Sequence, residues 1–261
     1  MILGPQRAST GQRAVVRSPR AGAFYPSLPV AYVRARRSGV VAVGSLTGFA
    51  ALAVTFHLRL WAGLDGLTMP AATLVSPCAL MNAYAMLGGV FSAEVVGLLL
   101  VATAAVVWRR ERSLVGAGLL VGGFLAASGL ELAAKHAVSQ PATWAVHPLS
   151  RPDCAGGLDY PLLQIRTPST FPSGWAHRVE YLATLGWGAW KRRVGHPRRW
   201  ALPVVVAGVI ALQATRALGG WHWPSDVLGG VLLGDGAARL VAALRAGSGA
   251  GAARGAPGRV T

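Results

Sequence analysis

Long apolar runs separated by short arginine-rich segments constrain the fold of this chain more than any other feature. A helix needs about 20 apolar residues to cross a bilayer. Six segments approach or reach that length: 39–58, 85–108, 114–133, 173–190, 200–220 and 225–243. Charged residues make up only 13% of the chain, against about a quarter in an ordinary soluble domain. The sequence therefore predicts an all-α integral membrane bundle of about six transmembrane helices.

The distribution of basic residues predicts how this bundle lies in the membrane. Of the 25 Lys and Arg residues, 19 fall on one side of the predicted helices, and the positive-inside rule makes that side cytoplasmic. Both termini are then cytoplasmic, with disordered basic tails at 1–37 and 246–261 around a membrane domain at 38–245. We expect a multi-pass protein of a bacterial plasma membrane. The net charge of +16 does not indicate nucleic-acid binding, because the basic residues lie between apolar runs instead of on a soluble basic module.

Both cysteines fall on the predicted outer side. Cys78 precedes the second helix, and Cys154 lies in the loop after the third. In an oxidising space the two could form one disulfide. The alternative is two unpaired thiols that share a side of the membrane.

Ionisable residues from three separate stretches also meet at this outer side. Such residues at a membrane are costly and by default indicate a functional site. Lys135 and Arg216 are cations suited to phosphate oxygens. Ser173 and Gly174 in "PSG" predict a helix start, whose free N–H groups attract anions. His222 is a candidate nucleophile and Asp226, four residues on, is a candidate for orienting its ring.

Less specific interpretations apply to each of these residues alone. A single Arg or His at a helix end is usually an interfacial anchor, and Trp221 and Trp223 are typical of an aromatic belt. A zinc site is conceivable from four side chains, but they lack compact ligand spacing: His222, Asp226, His147 and His177. Only the conjunction of three motifs on one face favours a reactive site.

Three motifs give the chain a resemblance to the type-2 phosphatidic acid phosphatase superfamily, the lipid phosphate phosphatases related to vanadium haloperoxidases. The third family motif is Ser-Arg, five residues, His, three residues, Asp. This chain has Thr215-Arg216, His222 and Asp226 at that spacing, within "GGWHWPSDVLGG". The second motif, Pro-Ser-Gly-His, resembles "PSGW" at 172–175, and the first, Lys, six residues, Arg-Pro, begins at Lys135. The similarity covers about residues 39–245.

The resemblance implies roles for these positions and an active site on the extracytoplasmic face. His222 would be the nucleophile that forms a phosphohistidine, and Asp226 would orient it. The phosphate would be held by four groups: Lys135, Ser173, Arg216 and the N–H of Gly174. No metal or other cofactor is implied, since side chains supply the cations.

Two positions depart from the family pattern. Ala142-Thr143 stands where Arg-Pro is expected, and Trp175 stands where the second histidine, the general acid, is expected. His177 lies about 200° around a helix from position 175, so it could replace that histidine only if the helix began late or its first turn were distorted. Arg178 returns closer to the same face and is a candidate for the missing cation. His136 and His147 are further candidates for the acid.

We therefore expect a membrane phosphatase or phosphotransferase acting on a lipid phosphate or diphosphate. A diphosphate has the better leaving group and depends less on a general acid, so the tryptophan favours it. The alternative is a catalytically weak or inactive relative that binds lipid phosphate or a partner protein. A transporter is a distant third interpretation, because no inverted repeat or pair of broken helices is apparent. The sequence leaves the oligomeric state open.

Overall fold

Six long helices make up most of the described chain. The computed structural model describes residues 28–58, 60, 63, 65–66, 86–138, 140, 167–218 and 222–254. The helices are α1 (Leu28–His57), α2 (Ala93–Glu111), α3 (Leu114–Ala137), α4 (Gly174–Val194), α5 (Ala201–Leu218) and α6 (Pro224–Arg254). Within those ranges there is no strand, so the all-α prediction is confirmed. The predicted Cys78–Cys154 disulfide and the Ala142-Thr143 position lie outside the described residues.

In the described part of the chain, three helices are long and apolar enough to cross a membrane: Tyr32–Thr55, Leu114–Ala137 and Pro224–Ser248. A fourth apolar stretch, Ala201–Ala217 in α5, is shorter. At 1.5 Å per residue, the 18 residues of α5 still extend about 27 Å, close to the thickness of the hydrocarbon layer. Large aliphatic side chains such as Leu98, Val115 and Ile210 are exposed on the outside of the bundle. An apolar exterior is what a bundle surrounded by lipid tails requires.

Two helix boundaries differ from the predicted ones. Residues 28–37 are helical and not a disordered tail, and α6 continues to Arg254, beyond the predicted domain end at 245. Residues 30–37, "VAYVRARR", contain neither Gly nor Pro. Arginine and alanine are good helix formers, so α1 begins before the apolar run does.

Serine caps and a tight turn place α2 and α3 side by side. Ser92 accepts a hydrogen bond from the Val95 N–H and Ser113 accepts one from the Gly116 N–H, each at the start of a helix. Arg112 has φ of 53° between α2 and α3, a left-handed conformation that ends a helix. The two helices therefore pack against each other.

Helix α6 is the centre of the bundle, because it packs against α1, α3, α4 and α5. Glycines allow its close approach to α4. A Cβ atom on Gly230 would lie 2.4 Å from the Ser173 carbonyl oxygen, and one on Gly234 would lie 2.4 Å from the His177 carbonyl oxygen. Small residues four apart permit such backbone contact between helices in membranes. This packing brings the N-terminal ends of α4 and α6 together.

Candidate functional site

The His222–Asp226 pair lies at the beginning of α6. His222 Nδ1 is 3.5 Å from Asp226 Oδ2, and the His222 N–H donates to the Arg216 carbonyl oxygen. Asp226 is fully buried in the first turn of α6 and accepts a hydrogen bond from the Trp223 N–H at 3.1 Å. The positive end of the helix dipole stabilises a carboxylate there. Nδ1 therefore faces the carboxylate, which leaves Nε2 as the nitrogen available for chemistry.

The electrostatics of this pair favour a neutral imidazole. Burial lowers the pKa of His222 below its ordinary value of 6.5, while the Asp226 carboxylate opposes that shift. Only an unprotonated ring nitrogen has a lone pair with which to attack. At neutral pH the ring is thus in the form that a nucleophile requires.

The beginning of α4 is joined directly to this pair. Ser173 caps the helix by accepting a hydrogen bond from the Ala176 N–H at 3.3 Å, and its own N–H donates to the Asp226 carbonyl oxygen at 2.9 Å. Ser173 is completely buried. The "PSG" segment therefore begins a helix as predicted, and it does so beside Asp226.

Lys135 reaches the same place from the last turn of α3. Its ammonium donates to the Thr170 carbonyl oxygen at 3.2 Å, and only 9% of the residue is exposed. Its charge acts on both His222 and Asp226. An ammonium has three donors, so the bond to Thr170 does not exhaust them.

Arg216, at the end of α5, is buried with unused donors. The residue is 6% exposed, and its Nε and Nη2 atoms have no hydrogen-bond partner among the described residues. A buried guanidinium without partners is costly. The arrangement suits an anion that accepts two parallel hydrogen bonds.

Trp175 supports this arginine. The Arg216 guanidinium carbon lies 4.3 Å from the centroid of the indole ring, a cation–π contact. The indole N–H donates to the Leu87 carbonyl oxygen at 3.3 Å, and the ring packs edge-on against Phe91. Gly88 leaves room for the guanidinium, since a Cβ atom there would lie 3.0 Å from Nη2. The tryptophan thus provides a surface for the arginine and carries no titratable proton.

His177 and Arg178 face α3. His177 is completely buried, with its ring 5.9 Å from that of Phe124 and its Nδ1 3.0 Å from Glu131 Oε2. Arg178 donates through Nε to the Phe91 carbonyl oxygen at 2.8 Å and lies 3.7 Å from the same carboxylate. Because α4 begins at Gly174, His177 turns away from Trp175, as helical geometry predicts. His136 is exposed and contacts the Leu132 carbonyl oxygen, and His147 lies outside the described residues.

Sequence reasoning missed two carboxylates near the site. Glu131 precedes Lys135 by one helical turn, a spacing that could have identified it. Asp65, four per cent exposed, accepts hydrogen bonds from the Ser225 hydroxyl and the Gln140 amide. Burial raises its pKa, and the nearby Asp226 charge adds to the effect. No local pattern predicts Asp65, since its partners are far away in the chain.

The described part of the chain contains no group of three or more His, Cys, Asp or Glu side chains arranged to hold a metal ion. At one end of the bundle the structure brings together six of the predicted site residues: Lys135, Ser173, Gly174, Arg216, His222 and Asp226. Three cations surround that end, because Arg178 is close enough to repel both Lys135 and Arg216. This arrangement can bind an anion beside a neutral histidine.

Comparison with known proteins places the chain in a family. No curated protein sequence matches it. The structure is similar to the crystal structure of a transmembrane PAP2-type phosphatidylglycerolphosphate phosphatase from Bacillus subtilis. The TM-score is 0.55 at 16% sequence identity, and the similarity covers 84% of this chain and 98% of that chain. The family model of the PAP2 superfamily matches residues 114–249, 136 of the 261 residues. Because that match spans more than half of the chain, this protein belongs to the PAP2 superfamily.

Proposed function

We propose that this protein is a membrane phosphatase, or a phosphotransferase of the same chemistry, acting on a lipid phosphate or isoprenyl diphosphate at the extracytoplasmic face. The observation that carries the proposal is the His222–Asp226 pair beside the buried, unpaired donors of Arg216. A nucleophile with an orienting carboxylate next to an anion-binding cation is what phosphoryl transfer requires.

In this mechanism, His222 Nε2 attacks the phosphorus atom. A P–N bond forms and the P–O bond to the leaving group breaks, so the electron pair of that bond leaves with the lipid product. Asp226 holds the Nδ1–H and stabilises the positive charge on the ring. Water then attacks the phosphohistidine, the P–N bond breaks, and orthophosphate leaves. In a transferase, an acceptor hydroxyl takes the place of water.

The phosphate is held by Arg216, Lys135, Arg178 and the start of α4 at Ser173 and Gly174. Arg178 takes the place of the arginine that the family motif would put at position 142. Its closeness to Lys135 and Arg216 supports this assignment. These side chains supply three positive charges, so we expect turnover without added metal.

Trp175 bears on the choice of substrate. The family's general acid is replaced by a side chain that cannot donate a proton to a leaving alkoxide. General acid catalysis contributes about 10²- to 10⁴-fold, and a phosphate leaving group needs less of that help. An isoprenyl diphosphate is therefore the favoured substrate over a lipid phosphate monoester.

The test is phosphate release by the detergent-purified protein, without metal, on isoprenyl diphosphate, isoprenyl monophosphate, phosphatidate and phosphatidylglycerophosphate. His222→Ala is the matched variant. We expect release from the diphosphate that is lost in His222→Ala. A strong preference for phosphatidate would refute the argument from the leaving group.

The second candidate function is binding of a lipid phosphate without turnover. Trp175, which replaces the general acid and packs against Arg216, is the observation that favours it. No release above that of His222→Ala on any substrate, together with saturable binding of lipid phosphate by the wild type, would support this function instead.

A further inference from the structure

Glu131 is the one carboxylate among the described residues whose contacts include three basic side chains of the site. Its carboxylate lies 3.0 Å from His177 Nδ1, 3.7 Å from Arg178 Nη1 and 3.8 Å from Lys135 Nζ. Only 13% of its side chain is exposed. These contacts join α3, which carries Glu131 and Lys135, to the first turn of α4.

The backbone of α4 is shaped to accept this carboxylate. A Cβ atom on Gly174 would lie 2.1 Å from Glu131 Oε1 and 2.6 Å from its carboxyl carbon. A side chain at position 174 would have to displace the Glu131 carboxylate. The glycine therefore serves the carboxylate as well as the helix start.

The distances show how the carboxylate acts on the cations. At 3.7 and 3.8 Å, Arg178 and Lys135 lie beyond hydrogen-bond distance of Glu131. Arg178 and Lys135 instead donate hydrogen bonds to the carbonyl oxygens of Phe91 and Thr170. Glu131 thus attracts both cations without consuming their N–H donors, which stay available for a phosphate.

The positive charges of Lys135, Arg178 and Arg216 need a negative charge close by. Arg178 repels Lys135 and Arg216, and buried cations need a counter-charge to stay charged and in place. Three other carboxylates are near. Asp226 is oriented by the Trp223 N–H toward His222, and Asp65 accepts a hydrogen bond from Ser225. Glu94 attracts Arg178 alone among the three cations. Glu131 is the anion on the α3 side of the cluster.

We propose that Glu131 is a positioning residue of the phosphate site, which holds Lys135 and Arg178 where they meet the substrate and is itself held by His177. This inference rests on the proposed phosphate site. The proposal also assigns a role to His177: its completely buried ring orients the Glu131 carboxylate, and the carboxylate orients the two cations.

The test compares Glu131→Gln, Glu131→Asp and the control Glu180→Gln. Glu180 is an α4 carboxylate whose contact is Thr184, on a different stretch of the bundle. The measured quantities are kcat, KM and the inhibition constant of orthovanadate, with the melting temperature in detergent as the check on folding.

For Glu131→Gln we expect KM and the vanadate inhibition constant to rise about tenfold or more, the order of a lost interaction with a charged group, while kcat falls less. Glu131→Asp should recover part of the loss, and Glu180→Gln should leave both constants unchanged. A purely structural role would lower the melting temperature without separating KM from kcat. Unchanged or tighter vanadate binding by folded Glu131→Gln would overturn the proposal.

Two further measurements keep the test decisive. Should Glu131→Gln fail to fold, His177→Phe keeps the packing against Phe124 and removes the partner of the carboxylate. It should weaken vanadate binding in the same direction, and unchanged binding would overturn the proposal.

Should the wild type hydrolyse no lipid, the rise in melting temperature caused by orthovanadate still reports anion binding. That rise should be smaller in the Glu131 and His177 variants, so the failure of the catalytic function is separated from the failure of this inference.

Discussion

Trp175 offers the sharpest test of how this site differs from the family pattern. Trp175→His would restore the motif histidine, and with it a proton donor beside Arg216. A general acid is worth about 10²- to 10⁴-fold on a substrate with a poor leaving group. On a diphosphate, which leaves without that help, the gain should be small.

The same substitution should also lower phosphate affinity and protein stability, and both losses apply equally to the two substrates. The guanidinium of Arg216 lies 4.3 Å from the indole centroid, and such contacts contribute about 0.5–2 kcal/mol, or about 2- to 30-fold in affinity. Trp175 is also 5% exposed, and replacing a buried large side chain with a smaller one lowers stability by roughly 2–4 kcal/mol. These losses act on every phosphate ligand, so they cancel in a ratio of two substrates.

The assay is therefore the ratio of kcat/KM for isoprenyl monophosphate to that for isoprenyl diphosphate. We expect the ratio to rise by about 10² in Trp175→His and to stay at the wild-type value in Trp175→Phe, which keeps an aromatic surface and has no proton to give. A folded Trp175→His protein with the wild-type ratio would refute the reasoning that Trp175 selects the leaving group.

Three further predictions concern the pair, the helix packing and pH. Asp226→Asn should lower kcat by roughly 10²- to 10⁴-fold, because the ring loses its orienting carboxylate; an effect on KM alone would contradict this role. Gly230→Ala should lower the free energy of unfolding by about 1–3 kcal/mol, since its Cβ would meet the Ser173 carbonyl oxygen at 2.4 Å, whereas Gly97→Ala, with open space around it, should be neutral or stabilising in the same thermal melt. The pKa of His222 is lowered by burial, so kcat/KM should stay constant through neutral pH and decline only when the pH drops below the ordinary value of 6.5 and the ring becomes protonated. A decline that begins above that pH would contradict the lowered pKa of this ring.

Much of the fold follows from the sequence because a segment that crosses the hydrocarbon layer must be mostly apolar. Every backbone polar group must be paired inside the membrane, so long apolar runs can only form helices, and these lie where the runs are. The boundaries were less accurate. Apolarity marks the part of a helix that meets lipid, but α1 begins at Leu28, before its apolar run, and α6 ends at Arg254, after its apolar run. The alanines and arginines at the start of α1 favour helix, whereas the glycines at the end of α6 do not explain its length.

The sequence by itself determined the parts of the site that are local in the chain. Arg216, His222 and Asp226 lie within eleven residues, so their spacing predicts the turn before α6. The "PSG" segment separately predicts the cap at Ser173 from residue type. The tertiary structure decided the rest: Trp175 supports Arg216, Glu131 joins His177 to two cations, and Asp65 meets Ser225 across 160 residues. These contacts depend on how closely α3, α4, α5 and α6 approach one another, which the glycines of α6 permit but which no single segment encodes.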